Sequence, residues 1–390
     1  AKWARSLTIP FEWQDEVIRA AITLKLCVFE ETGGIVAALT TSIPEHEGSS
    51  RNWDYRFCWI RDAYFTVTAL NRLSGMGTLE HYMRWVRNIV AHSKGGHIQP
   101  VYGIGLEADL SEDLAPNLPG FRDSGPVRRG NQAAEHVQHD VYGQVVLGVS
   151  QSFFDRRLLA QPGIAEFEQL EPVGERAFAV YDTPDAGIWE FRTIAHVHTS
   201  SAIMCWAACD RLSRIAERLG LDNREAYWRE RADIIHETIL EKAWNDEVKA
   251  FTAAFGGTDL DASVLLMAEI GFLPASDSRY ISTVEAVDRD LRMGDHVYRY
   301  KVEDDFGKPK TAFTACTFWF IDALYRVGRV EEARNMFEAV LASRNHLGLL
   351  SEDVNPETNE LWGNFPQTYC MVGIINSAAL LSKPWAAVTG

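Results

Sequence analysis

Apolar residues recur along most of this chain at the three-to-four-residue spacing of helices, and rarely with the alternation of strands. The spacing predicts twelve helices, over 13–30, 59–74, 79–93, 131–159, 163–180, 198–219, 223–244, 260–271, 277–291, 311–327, 330–344 and 367–382. The one strand-like run, GGIVAAL at 33–39, reads as a short ribbon. Links between helices alternate in length. Short ones (75–78, 160–162, 220–222, 272–276, 328–329) separate long ones (31–58, 94–130, 181–197, 245–259, 292–310, 345–366). Short links make antiparallel neighbours, so strict alternation puts all six long links at one end of the molecule.

Helix composition alternates in step. Helices entered from long links are apolar nearly all round: ASVLLMAEIGF and TAFTACTFWFIDAL carry one charge each, and QTYCMVGIINSAALLS none. The intervening helices keep a polar face. REAYWRERADIIHETILEK has nine charges, and DSRYISTVEAVDRDLR has seven, with Ile281, Val284, Val287 and Leu291 on one side. A helix apolar all round is buried, whereas an amphipathic one lies on the surface. The pattern therefore predicts an all-α fold, an (α/α)6 barrel of twelve helices in two concentric shells. An open solenoid would show a fixed sequence repeat, and none is present. No linker interrupts the pattern, so residues 1–390 read as one domain.

Composition narrows the chemistry. With 38 Lys+Arg against 54 Asp+Glu the net charge is −16, which argues against nucleic-acid or anionic-membrane partners. No run of about 18 apolar residues is present to span a bilayer. The first residues, AKWARSLTIP, lack the apolar region of a secretory signal, and six scattered cysteines do not make a disulfide scaffold. A cytoplasmic location is the expectation. The eleven His form no His-Glu-x-x-His spacing and the cysteines no Cys-x-x-Cys; His136 and His139, expected on one helix face, lack a third ligand nearby. No metal and no cofactor are expected, nor is a phosphate-binding glycine loop found.

The long links carry the candidate chemistry. They hold SSRNWDYRFCWIRDA ending at Ala63, DTPDAGIWEFR at 182–192, YRYKVEDDFG at 298–307 and LSEDVNPETNELWGNFPQ at 350–367. Aromatic faces beside carboxylates and guanidinium groups suit a neutral ligand rich in hydroxyls, stacking on its C–H surface and bonding its oxygens. Glu190 and Glu352 lie on the third and sixth links, opposite each other in a six-fold array. Hydrolysis of a glycosidic bond uses one protonated carboxyl at the leaving oxygen and one ionised carboxyl to activate water. Glu190 sits between Trp189 and Phe191, an apolar setting that suits an acid. Glu352 lies near Asp353, Asn355 and Glu357, a polar setting that suits an ionised base.

NWDYRFCWIRDA, GIWEFR and SEDVNPETNELWGNFPQ, in this order, resemble glycoside hydrolase family 15, which holds glucoamylases, glucodextranases and bacterial trehalases. QPVYG at 99–103, HDVYGQV at 139–145, FGGTDLDAS at 255–263 and CTFWFIDAL at 316–324 resemble it too. The resemblance runs from about residue 13 to the C-terminus. It implies an (α/α)6 catalytic barrel, no metal, and inverting hydrolysis that releases β-glucose from the non-reducing end of α-glucosides, an exo-acting, glucoamylase-like activity with trehalase as the alternative. By the same resemblance Glu190 is the general acid and Glu352 the general base. Arg61 and Asp62 grip the hydroxyls of the terminal glucose, Trp59 and Trp189 wall it, and Arg299 binds it from the fifth link. The partner is then an oligosaccharide or disaccharide substrate. Two departures stand out. The N-terminal β-sandwich domain usual in bacterial members is missing, so the chain reads as a catalytic domain alone or as a fragment. SED stands where SEE is usual, which bears on the tuning of the base. Rival readings are a polysaccharide lyase drafting His196 and His198, and a glycan-binding protein that needs no carboxylate pair.

Overall fold

The computed structural model describes residues 2–93 and 96–389; residues 94 and 95 of the second long link lie outside it. Twelve helices follow one another: α1 (Gln14–Cys27), α2 (Ile60–Arg72), α3 (Met76–His92), α4 (Asp140–Ser150), α5 (Ile164–Val180), α6 (Thr199–Leu219), α7 (Asp222–Lys242), α8 (Leu266–Ile270), α9 (Ser278–Asp290), α10 (Thr314–Arg326), α11 (Val330–Ala342) and α12 (Thr368–Leu381). A 3-10 turn, Ala262–Leu265, leads into α8, and one helical turn, Ala386–Thr389, follows α12. The even-numbered helices follow one another around an inner ring, α6 meeting the 3-10 turn that leads into α8, and α12 returns to α2 to close it. The odd-numbered helices pack around it. The fold is an (α/α)6 barrel.

The two shells follow from side-chain distribution. In α12 all but two residues are buried, whereas in α7 only Trp228, Ala232, Ile235 and Ile239 are, a single stripe at three- and four-residue steps. In α9 Val284 and Val287 face inward as the pattern predicts, while Ile281 is half-buried. Inner helices approach closely where glycine allows it. A Cβ on Gly143 of α4 would lie 2.1 Å from the backbone oxygen of Met204 in α6. Short links turn sharply: Gly220 ends α6 in the left-handed region at φ 73, and α7 begins two residues later.

The prediction departs from the structure most at 131–159. There α4 spans only Asp140–Ser150, flanked by 3-10 turns at Gln132–Glu135 and Gln151–Phe153. The Asp185 carboxylate accepts the His139 backbone N–H at 2.8 Å and so pins the helix start there. His136 and His139 therefore lie before the helix and do not share a helix face. Strands are limited to two-residue ribbons in the links. Gly34–Ile35 pairs with Val28–Phe29, as the 33–39 run suggested, and Asp353–Val354 pairs with both Ala312–Phe313 and Leu361–Trp362. Among the described residues no helix is long and apolar enough to cross a membrane.

Candidate active site

Side chains from the first, third, fifth and sixth long links meet at one end of the barrel. They line one shared pocket, walled by aromatic and charged side chains. Asn131, Ala133 and His136 join them from the turn before α4, and Arg61, Phe313 and Tyr369 from the starts of inner helices. All four motif clusters singled out in the sequence thus reach a single cavity.

Glu352 is set by the three-stranded ribbon. Its carbonyl accepts the Thr314 N–H at 2.9 Å at the start of α10, and its own N–H donates to the Asn364 carbonyl at 3.2 Å. Gly363 (φ 76) lies so close that a Cβ there would sit 2.9 Å from the Glu352 Cβ. The Tyr55 hydroxyl donates to Glu352 Oε1 at 2.5 Å. Only 4% of Glu352 is exposed. Burial, and then the Glu45 charge beside it, push its carboxyl up to about 8 against the opposing pull of Tyr55 and Arg299. The polar setting expected from its chain neighbours is therefore corrected. Asp353 points away to the Thr311 hydroxyl at 2.9 Å, and Asn355 folds over its own turn.

Glu190 sits in a tight turn, its N–H donating to the Gly187 carbonyl at 3.1 Å, with its own backbone in the left-handed region at φ 64. A non-glycine residue held there carries strain of the order of 1 kcal/mol. The turn aims the carboxyl at two donors from the start of α2, the Trp59 indole at 2.6 Å and the Arg61 guanidinium at 3.2 Å, both on Oε1. Its surroundings are cationic and rich in donors, not the apolar setting that Trp189 and Phe191 suggested. No hydrogen bond links Glu190 to Glu352 among the described residues. The connection runs through Tyr55 and Trp59, whose rings lie 5.5 Å apart.

The other expected site residues divide. Arg61, Trp189 and Arg299 line the pocket. Arg61 also donates to the Ile188 carbonyl at 2.6 Å and to Asp62 at 3.0 Å. Trp189 donates to buried Asp261 at 2.6 Å. Arg299 donates to Glu45 at 2.6 Å and lies over the Trp189, Tyr300 and Phe313 rings. Trp59 and Asp62 are both 1% exposed and stand behind the wall, Trp59 supporting Glu190 and Asp62 supporting Arg61. Burial opposes ionisation of Glu45, but Arg299 and Arg51 outweigh it and hold that carboxyl below its usual value.

Sequence reading missed Tyr55, Glu45, Trp53, Phe306, Phe313 and Tyr369 as members of the pocket. Tyr55 and Trp53 sat inside a quoted motif, but Glu45 and Tyr369 carry no local signal and are recruited by the fold.

A closed helical barrel with two carboxyl groups on one aromatic-walled pocket has the parts of a protein that handles sugars. The profile of the glycosyl hydrolases family 15 matches residues 13–379, and the chain belongs to that family. It is 32% identical over 386 residues to a trehalase of Thermoplasma volcanium, covering 98% of this chain and 60% of that protein. It is 36% identical over 374 residues to a trehalase of Mycobacterium tuberculosis, covering 94% of this chain and 54% of that one. The chain thus spans little more than half the length of these relatives. A bacterial glucoamylase complexed with acarbose has the same fold at a TM-score of 0.74 and 16% identity, over 97% of this chain and 57% of that one. A solved wild-type glycosidase matches at a TM-score of 0.73 and 16% identity, over 94% and 96%.

Proposed function

We propose that this chain is the catalytic part of an inverting trehalase, cleaving the bond between two α-linked glucoses. The hydrolytic reading rests on Glu190 and Glu352 facing one pocket without touching each other. Trehalose is favoured over the malto-oligosaccharides first expected because relatives at 32% and 36% identity carry the name trehalase, whereas the glucoamylase likeness is one of fold at 16% identity.

In this reading Glu190 gives its proton to the glycosidic oxygen, and the first glucose leaves as the α form. Glu352 takes a proton from the water that attacks the other face of the anomeric carbon, so the second glucose is released as the β form. The productive form holds a proton on Glu190 and none on Glu352. Because Glu352 keeps its own proton to about pH 8, that form is a minority at neutral pH, and the ionised Glu352 is a correspondingly strong base. Tyr55 steadies Glu352 through its hydroxyl. Arg61 and Trp59 orient Glu190, and Arg61 and Arg299 supply donors to the sugar hydroxyls.

Hydrolysis rates on trehalose, maltose and dextran, with the product anomer followed by NMR, test this reading. Trehalose should be cleaved fastest, giving equal α- and β-glucose at early times. Two α-glucose molecules per turnover, or maltose as the preferred substrate, contradicts it. Glu190→Gln and Glu352→Gln should each lower turnover about 100-fold or more. With α-glucosyl fluoride, whose leaving group needs no proton, activity should return in Glu190→Gln alone; the opposite pattern would exchange the two roles.

A further inference from the structure

At the rim of the pocket stands a side-chain latch built on Arg192, which belongs to the third long link. Its guanidinium donates to both oxygens of Glu112 on the second link, at 2.9 and 3.4 Å. It lies 4.7 Å from the Trp53 ring of the first link and 5.4 Å from the Phe306 ring of the fifth, and these rings meet edge to face at 4.9 Å. Its backbone N–H donates to Asp305 at 2.6 Å. Glu112 also accepts from Arg128 at 2.5 Å, and Arg128 covers Trp53 from 5.1 Å. Four of the six long links are therefore fastened together through one guanidinium.

The latch is a rim structure. Arg192 is 20% exposed, against 9% for Arg299 and 6% for Arg51 deeper in the same pocket. A fork paired to both carboxylate oxygens and stacked on two aromatic rings is held far better than a lone surface charge. Beside it His136 lines the pocket with both ring nitrogens shielded from water and unpartnered in the protein. A buried ring without partners gains when a ligand hydroxyl supplies them. Hydrogen-bonding capacity thus remains unspent beside the latch.

We propose that the Arg192–Glu112–Trp53–Phe306 latch limits the substrate to two sugars, ending the pocket beyond the second glucose so that a chain continuing from it is excluded. The inference rests on the reading of the pocket as a glucoside site, and it makes Arg192 and Glu112 determinants of substrate length.

The test compares kcat/KM for a disaccharide and for its one-glucose extension, in the wild-type protein and in Arg192→Ala, Glu112→Gln and Phe306→Ala. The pairs are trehalose with 4-glucosyl-trehalose, and maltose with maltotriose. The wild type should favour each disaccharide, and the variants should raise the trisaccharide-to-disaccharide ratio about tenfold or more. Glu112→Gln keeps the size of the residue while loosening the guanidinium, so its effect separates release of the latch from general damage to the loops. A wild type that handles both lengths equally, or variants whose ratio does not move, overturns the proposal. Should trehalose resist cleavage while maltose is cut, the trehalase reading fails and the maltose pair still decides the length limit.

Discussion

Replacing Glu352 by glutamine should make the protein more stable as well as inactive. The unfolded chain releases this proton at the usual 4.5, whereas the buried native carboxyl keeps it to about 8. Between those values folding takes up a proton, so the wild type loses stability as pH rises through the window and levels off above it. Glutamine has no such penalty, and its oxygen can still accept the Tyr55 hydroxyl. The variant's advantage should be absent below pH 4.5 and grow by about 1.4 kcal/mol per unit above it. At pH 7 it reaches about 3.5 kcal/mol. With about 2.1 cal/mol/K of unfolding entropy per residue over 390 residues, that is a Tm rise of about 4 °C. Melting both proteins by circular dichroism from pH 4 to 9, at one scan rate, gives the two curves. A wild type that melts above the variant at pH 7, or a gap indifferent to pH, would refute the claim that the native site stores a proton on Glu352.

Other outcomes follow from the same geometry. Productive turnover needs one proton within the carboxyl pair, so kcat/KM should fall above about pH 8, where Glu352 titrates; a rate constant to pH 9.5 would contradict this. Tyr55→Phe removes a donor that favours ionised Glu352, so this alkaline limb should move upward by about one unit and kcat/KM at pH 7 should drop about tenfold. Gly143→Ala forces a methyl group against the Met204 backbone and should cost about 3 kcal/mol, read as a lower urea midpoint; an unchanged midpoint would show that α4 and α6 can separate.

Helix order and shell assignment were legible because burial leaves a local imprint: α12 is apolar all round, and α7 carries one apolar stripe. The start of α4 was not. Apolar spacing continues back through Ala133 and Val137, yet the helix begins at Asp140 because Asp185, 46 residues further on, captures the His139 N–H. The same limit applied to the two carboxyls. Their motifs marked them, but neighbours along the chain misdescribed both environments. Glu190 answers to Arg61 and Trp59 from α2, and Glu352 to Tyr55 and Glu45, all distant in sequence.

By itself, then, the sequence determined the alternation of buried and surface helices, the gathering of long links at one end, and the motifs that mark an acidic pair. Those properties depend on periodicity and residue type, which a chain carries locally. The tertiary structure alone decided that burial pushes the Glu352 carboxyl up, that Trp59 and Asp62 support the pocket from behind, and that Arg192 joins four links at its rim. Electrostatic energy and packing are functions of distance in space, and each of these features joins residues that only the closed ring of helices brings together.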